Sequence, residues 1–263
     1  MPLSTSSFDR PVPDRPWLPM AAVALALCVP AMAAWEVQVR RMGYVASLND
    51  TDDYWALHRD RVAAGSMVVI GSSRTVFDLD LEVMEEELGV RPIHLGMVGS
   101  CPRPILADLV ADEGFRGTVL VGVTPGLFFA PGGPPVAKSN DWLRYRRQRS
   151  PSKRVGHALS RRLESRLAFL DDDDLTLEQL IRRIPMADRP GAKVPPRMPP
   201  SLGPMLPSRS VRMWDRLAGD PAFQAEVQGI WKGLATAVPP MDEATAEGVR
   251  QAILAEVAGQ VRT

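Results

Sequence analysis

The segment from Met67 to Arg74 constrains the fold more than any other part of this sequence. It reads Met-Val-Val-Ile-Gly-Ser-Ser-Arg: a short apolar run, a glycine, two serines and the start of helix-forming sequence. This order is typical of a buried strand that turns directly into a helix. In open α/β sheets ligands bind at the carboxyl ends of the strands, which is where this turn presents Ser72 and Ser73. The pattern therefore indicates either a candidate nucleophile or an ordinary polar turn.

The residues that follow repeat the alternation of helix and strand. Apolar side chains recur at helical spacing over residues 79–88 and 104–112, which predicts two short helices. Short apolar runs at residues 91–95 and 118–123 predict two further strands. Three strands joined by helices indicate an α/β fold with a parallel sheet, and residues 48–64 predict one more helix before it.

These residues resemble the SGNH, or GDSL-type, hydrolases. Gly71-Ser72-Ser73 is similar to their Gly-Asp-Ser block, with Ser73 at the nucleophile position. Residues 94–99, His-Leu-Gly-Met-Val-Gly, are similar to their Asn-x-Gly-x-x-Gly block. The resemblance covers roughly residues 67–129 and implies a three-layer, flavodoxin-like parallel sheet. It also implies hydrolysis or transfer of acyl esters, with Ser73 attacking the carbonyl and the N–H groups of Ser73 and Gly99 holding the oxyanion.

Two blocks of that family have no counterpart in the chain. Thr124-Pro125-Gly126-Leu127 stands where Gly-x-Asn-Asp is expected, and no Asp-x-x-His occurs. A serine hydroxyl needs a neighbouring base to become a nucleophile. His94, at the end of the second strand, is the one local candidate, and the alternative is a histidine that is simply hydrogen-bonded there. We therefore expect an SGNH-like domain that is inactive as this chain.

The number of readable strands is small for such a fold. The third strand, residues 118–123, would form an uncovered apolar edge, which proteins normally pair or cover. The amphipathic helix predicted over residues 243–261 is of the kind that precedes another strand. These features predict an incomplete sheet in a truncated or frameshifted chain. A reduced domain whose C-terminal helices cover the edge is the alternative.

Residues 17–35 carry no charge and are rich in alanine, leucine and valine. Their length suits a bilayer core, and the tryptophans at both ends suit its interfaces. They predict a transmembrane helix or signal anchor that leaves the main domain outside the cytoplasmic membrane, in the periplasm, as a single-pass protein. A cleaved signal peptide ending at Ala31-Met32-Ala33, a lipoprotein signal at Cys28 and a buried core helix are the alternatives. An anchor before such a domain resembles bacterial extracytoplasmic SGNH-like proteins, including those that acetylate exopolysaccharides.

Composition divides the chain into segments. They are an N-terminal tail (1–16), the apolar helix (17–35), an α/β core (47–130), a basic and helical insertion (131–184), a proline-rich linker (185–207) and a helical segment (208–263). Within the insertion, apolar residues recur every four positions from Val155 to Leu167, which predicts an amphipathic helix with a cationic face. Such a face fits anionic lipid headgroups or an acidic polymer, or is a solvated face near the acidic run 171–174.

The net charge of zero gives no general attraction to nucleic acid, which is not an expected partner. Cys28 and Cys101 cannot form a disulfide framework, and no cluster has metal-ligand spacing, so neither a cofactor nor a metal is expected. Three functions stay open. They are acyl-ester chemistry on an envelope carbohydrate or lipid, a non-catalytic binding or assembly role in the envelope, and membrane-surface binding through the basic helix. No protein partner is indicated.

Overall fold

The computed structural model describes residues 16–182, 184, 199–236 and 242–261. It divides the chain into two compact units, Met1–Tyr44 and Val45–Thr263. Most of the predicted N-terminal tail and residues 185–198 of the predicted linker lie outside the described residues.

The first unit contains helix α1 (Trp17–Arg41). The prediction of a helix over residues 17–35 is confirmed, but the helix continues for six further residues. Glu36 and Arg40, one turn apart in this extension, form an ion pair at 2.6 Å that supports the added turn. Pro30 lies inside the helix without ending it. With a mean hydropathy of 1.9 over its most apolar stretch, α1 is long and apolar enough to cross a membrane.

The second unit is built on a three-stranded parallel sheet in the order β2-β1-β3. The strands are β1 (Met67–Ile70), β2 (Ile93–His94) and β3 (Thr118–Val121). Three parallel strands joined by helices are therefore confirmed, within narrower bounds than the sequence predicts. The second strand is the shortest, because Pro92 has no N–H to give to a ladder. Val69 aligns with His94 on one side and with Leu120 on the other.

Helices fill most of the remaining chain. They are α2 (Asp52–Arg59), α3 (Ser73–Asp78), α4 (Leu81–Leu88), α5 (Arg103–Val110), α6 (Pro125–Phe128), α7 (Pro134–Gln148), α8 (Pro151–Glu164), α9 (Leu177–Arg182), α10 (Asp215–Gly219), α11 (Pro221–Thr236) and α12 (Glu243–Val261), with a 3-10 turn at Ala168–Leu170. Helix α2 is shorter than predicted, because the Thr51 hydroxyl accepts from the Tyr54 N–H and fixes the start there. Helix α4 begins after the Asp80 cap and ends at Gly89, whose φ of 69° suits glycine.

The main core covers one face of the sheet. Val68 and Ile70 of β1 pack there with Trp55 of α2, Ile105 of α5 and Leu143 of α7. The indole N–H of Trp55 donates to the Leu95 carbonyl at 3.0 Å, which fixes α2 over the end of β2. A second cluster joins Tyr54 and Val76 to Met205, at the end of the predicted linker. The described part of that linker therefore packs against the α/β core.

Strand β3 forms one edge of the sheet in the described part of the chain. Its burial alternates, and Leu120 and, beyond its end, Val123 stay 42% and 48% exposed. Helix α12, near the C-terminal end of the described residues, packs against α5. Arg103 of α5 and Glu256 of α12 form an ion pair at 2.7 Å. Among the described residues after Val121, the strand-like pairing consists of an isolated bridge between Met205 and Val211.

Candidate functional site

The loops that follow the three strands meet at one edge of the sheet, as parallel strands require. The Met97 N–H donates to the Gly71 carbonyl at 3.0 Å, which joins the loop after β2 to the turn after β1. The hydroxyls of Ser72 and Thr124 lie 2.7 Å apart and tie the same turn to the loop after β3. The structure thus brings together the two segments in which the sequence predicts a site.

The centre of this edge is filled by the Thr75 side chain. Its hydroxyl donates to the Ser72 carbonyl at 2.8 Å. Gly71, Gly96 and Gly122 each follow a different strand, and a Cβ atom on any of them would collide with Thr75. The three glycines are therefore needed for close packing around Thr75. The carboxyl ends of the strands, where the sequence predicts a ligand site, are therefore filled by a threonine of the fold itself.

Ser73 and Gly99 lie on the two converging loops. Ser73 is the first residue of α3 and is half-buried. Gly99 has a φ of 69°, a conformation that favours glycine, in a turn held by the Ser100 hydroxyl, which donates to the Met97 carbonyl at 2.8 Å. Lys138 of α7 donates to the Val98 carbonyl at 2.8 Å and fixes the same turn from outside.

His94 is completely buried at the end of β2. Its Nε2 lies 3.0 Å from the Thr75 carbonyl oxygen, to which it donates, while Nδ1 has no partner among the described residues. Burial, with a smaller contribution from the positive charge of Arg209, lowers the pKa of His94 to about 3. An imidazole in these surroundings strongly resists protonation and is a poor general base.

The residue that organises this edge is Arg209, which sequence analysis does not single out. It is fully buried and has a φ of 64°, the left-handed conformation. Its guanidinium donates to the carbonyls of His94 and Gly96 at 3.0 and 3.1 Å and pairs with the Asp50 carboxylate. Asp50 directly precedes Thr51, the residue that caps α2, and its carboxylate binds Arg209.

The basic insertion splits into two helices that differ in their partners. The arginines of α7 and Arg149, the residue after it, are mostly paired: Arg146 and Arg149 with Asp60 at 2.7 and 2.6 Å, and Arg147 with Asp108 at 2.9 Å. These pairs hold α7 against the rest of the second unit, so its arginines do not form a free cationic face. Helix α8 carries the predicted apolar stripe.

The described residues contain no group of three or more His, Cys, Asp or Glu side chains placed to hold a metal ion. Cys28 and Cys101 are free thiols. Two surface depressions in the described part of the chain are lined by α12 and by residues on and beside α5 and α7, and neither includes Ser73, His94 or Gly99.

Comparison of the chain with protein-family models, with curated proteins and with solved structures finds no match. The functional interpretation therefore depends on the geometry of the strand-end loops and on the chemistry of the side chains in them. The SGNH resemblance stays a prediction from residues 67–129.

Proposed function

We propose that this chain is a membrane-anchored envelope protein whose second unit is an SGNH-like, flavodoxin-like domain that works by binding or assembly and does not hydrolyse esters. The strand order β2-β1-β3 supports the fold assignment, because flavodoxin-like sheets have this order around their first strand. The apolar composition and length of α1 support a single membrane span. In this proposal α1 stays attached and the second unit lies on the periplasmic side of the cytoplasmic membrane.

The burial of His94 and the packing of Thr75 at the strand ends are the observations that support the non-catalytic role. A serine nucleophile requires an accessible imidazole or an equivalent base. The His94 ring is buried, its Nε2 is bonded to the Thr75 carbonyl, and its pKa is lowered to about 3 by burial. Thr75 also fills the space between the three strand ends. These contacts stabilise the fold and leave Ser73 without an activating partner among the described residues at the strand ends.

Acyl-ester hydrolysis or transfer is the second candidate function. It is favoured by the hydrogen bond between Met97 and Gly71, which holds the loops of Ser73 and Gly99 side by side. In this alternative Ser73 attacks the acyl carbonyl of an envelope carbohydrate or lipid. The N–H groups of Ser73 and Gly99 stabilise the oxyanion.

A fluorophosphonate probe, which reacts with activated serines, separates the two candidates. The full chain is incubated with the probe in detergent or lipid vesicles, beside Ser73→Ala and the matched control Ser72→Ala. We expect equally low labelling of all three proteins and no turnover of nitrophenyl esters. Stoichiometric labelling that is lost only in Ser73→Ala would establish the esterase alternative.

The orientation of α1 is tested separately. A phosphatase that is active only outside the cytoplasm is fused after residue 263, and a second copy of the chain receives a reporter that is active only in the cytoplasm. The proposal predicts activity of the first fusion alone. Activity of the second fusion alone would place the second unit in the cytoplasm and contradict the proposed location.

A further inference from the structure

Helix α8 lies with its polar side chains toward the rest of the second unit. Glu164 is buried and accepts from the Asn49 N–H at 3.2 Å. On the same side, the Arg161 guanidinium lies 5.6 Å from the centre of the Tyr54 ring, and the Lys153 ammonium lies 4.4 Å from the centre of the Tyr145 ring. One hydrogen bond and two cation–π contacts therefore hold the polar face of α8 against α2, the residue Asn49 before it, and α7.

The opposite side of α8 is an apolar stripe that faces outward. Val155, Leu159 and Leu163 follow one another at intervals of four residues and are 71%, 58% and 45% exposed. Amphipathic helices of soluble domains normally bury this face against the core. Here the helix is anchored by its polar side, and the stripe is left to another partner.

We propose that this stripe, defined by Val155, Leu159 and Leu163, inserts into the headgroup region of an anionic phospholipid bilayer. Arg162 lies beside the stripe on the helix surface. Arg154 lies one residue before Val155 at the N-terminal end of the stripe, and both arginines are exposed and make no ion pair with any described carboxylate. The one acidic residue of the helix, Glu164, points inward. The exposed surface of α8 thus combines apolar side chains with positive charge, which is the composition of helices that lie in the membrane interface.

The connection to α1 favours lipid over other partners. Helix α1 ends at Arg41 and the second unit begins at Val45. The three residues between them leave four Cα–Cα steps, which span at most about 14 Å when fully extended. If α1 crosses a bilayer, as the proposed function holds, this short connection raises the effective concentration of lipid around the second unit. The inference rests on that anchoring and adds a second, interfacial contact.

Site-directed fluorescence on the full chain tests the contact. An environment-sensitive nitrobenzoxadiazole label is attached to Leu159→Cys, with Glu86→Cys on the exposed side of α4 as control, both in a Cys28→Ser background because Cys101 is buried. The proteins are reconstituted in vesicles of phosphatidylcholine with or without phosphatidylglycerol. Flotation of the vesicles first reports anchoring, and lipid-borne doxyl and aqueous iodide quenchers then report the position of the label.

We expect the label at position 159 to be quenched by doxyl lipid and shielded from iodide in anionic vesicles, and the label at 86 to behave in the opposite way. Arg154→Glu combined with Arg162→Glu should lower the equilibrium constant for this contact at least about tenfold, whereas the control Lys232→Glu leaves it unchanged. Flotation with a water-exposed label at 159 would overturn the stripe proposal alone. Failure to float would overturn the anchor and the stripe together. Shielding that depends on protein density, without doxyl quenching, would also overturn it and indicate a second copy.

Discussion

The two edges of the sheet differ in how they are closed. Val69, His94 and Leu120 stand in register across the three strands, and their side chains therefore share one face. Val69 and His94 are fully buried, whereas Leu120 is 42% exposed. The loop that carries Arg209 covers the β2 side, while in the described part of the chain no strand pairs with the outer edge of β3.

The difference shows that the sheet is most constrained at the carboxyl end of β2, which is part of the region where a catalytic site was expected. On the β2 side a buried guanidinium holds two carbonyls and a carboxylate, and it reaches them from a position more than a hundred residues away in sequence. Interactions of this kind fix a single arrangement of the strand ends. On the β3 side the half-buried valines contribute packing alone, and substitutions there are expected to be tolerated.

Removal of Arg209 should have the largest effect on stability. Arg209→Met leaves the Asp50 carboxylate and the carbonyls at the end of β2 without their donor, and loss of one partner of a buried pair costs about 3–5 kcal/mol of unfolding free energy. Urea unfolding of the detergent-solubilised chain measures this loss of unfolding free energy. The control Arg91→Met loses exposed ion pairs with Glu82 and Glu85, each worth about 0–1 kcal/mol. Similar losses of unfolding free energy in the two variants would mean that Arg209 does not stabilise the β2 edge as described.

The packing around Thr75 predicts the next largest effect. In Gly122→Ala the new methyl group meets the Thr75 methyl group, and overpacking of this kind costs about 1–3 kcal/mol. Thr75→Ser removes the opposing methyl group and keeps the hydroxyl, and should restore most of the loss in the double variant. Gly126→Ala, where a Cβ meets open space, is the control and should not destabilise. A double variant as unstable as Gly122→Ala would exclude Thr75 as the cause.

The buried histidines predict a dependence of stability on pH. Burial lowers the pKa of His94 to about 3 and of His58 to about 4, below the usual value near 6.5 that applies in the unfolded chain. The unfolded chain therefore takes up protons first, and stability falls as the pH falls below about 6.5. Each histidine contributes a slope of at most about 1.4 kcal/mol per pH unit. His94→Gln should reduce the slope between pH 6.5 and 5, whereas an unchanged slope would contradict the burial of a neutral ring.

A matched pair of substitutions compares the central strand with the β3 edge directly. Val69 and Leu120 are partners across β1 and β3, and both are changed to threonine. Val69→Thr places a hydroxyl in a fully buried position, at a cost of about 1–3 kcal/mol. Leu120→Thr is expected to change the unfolding free energy by about 0.5 kcal/mol or less, since threonine suits an exposed strand position. Equal losses would show that an element covers β3.

Local periodicity predicted the strands and most of the helices, because each depends on neighbours within a few residues. The predicted turn from β1 directly into a helix is confirmed by α3, but the end of α1 was placed too early because the charged turn after Trp35 lacks apolar character. The amphipathic character of α8 was correctly predicted. Its orientation was not, because only the partners Asn49, Tyr54 and Tyr145 turn the polar side inward.

The organisation of the strand ends could be predicted only in part. Parallel strands bring their carboxyl ends to one edge, so the sequence predicted that Ser73, His94 and Gly99 lie on neighbouring segments. Nothing in the sequence around Arg209 indicates that it binds Asp50, since the contact depends on a loop that returns across the fold. For the same reason the sequence left His94 open as a base or a structural residue. Its surroundings favour the structural role.

The ionisation of His94 tests most directly the claim that the strand ends are a structural junction and not a catalytic crevice. Histidine side chains of the full chain in lipid nanodiscs are labelled with ¹⁵N, and the ring signals are assigned with His94→Gln and followed by NMR as the pH is lowered. We expect the His94 ring to remain neutral, with the proton on Nε2, throughout the folded range, in line with a pKa lowered to about 3. A titration near pH 6.5 that shifts when Ser73 is changed to alanine would show an accessible base coupled to the serine and would contradict the structural role.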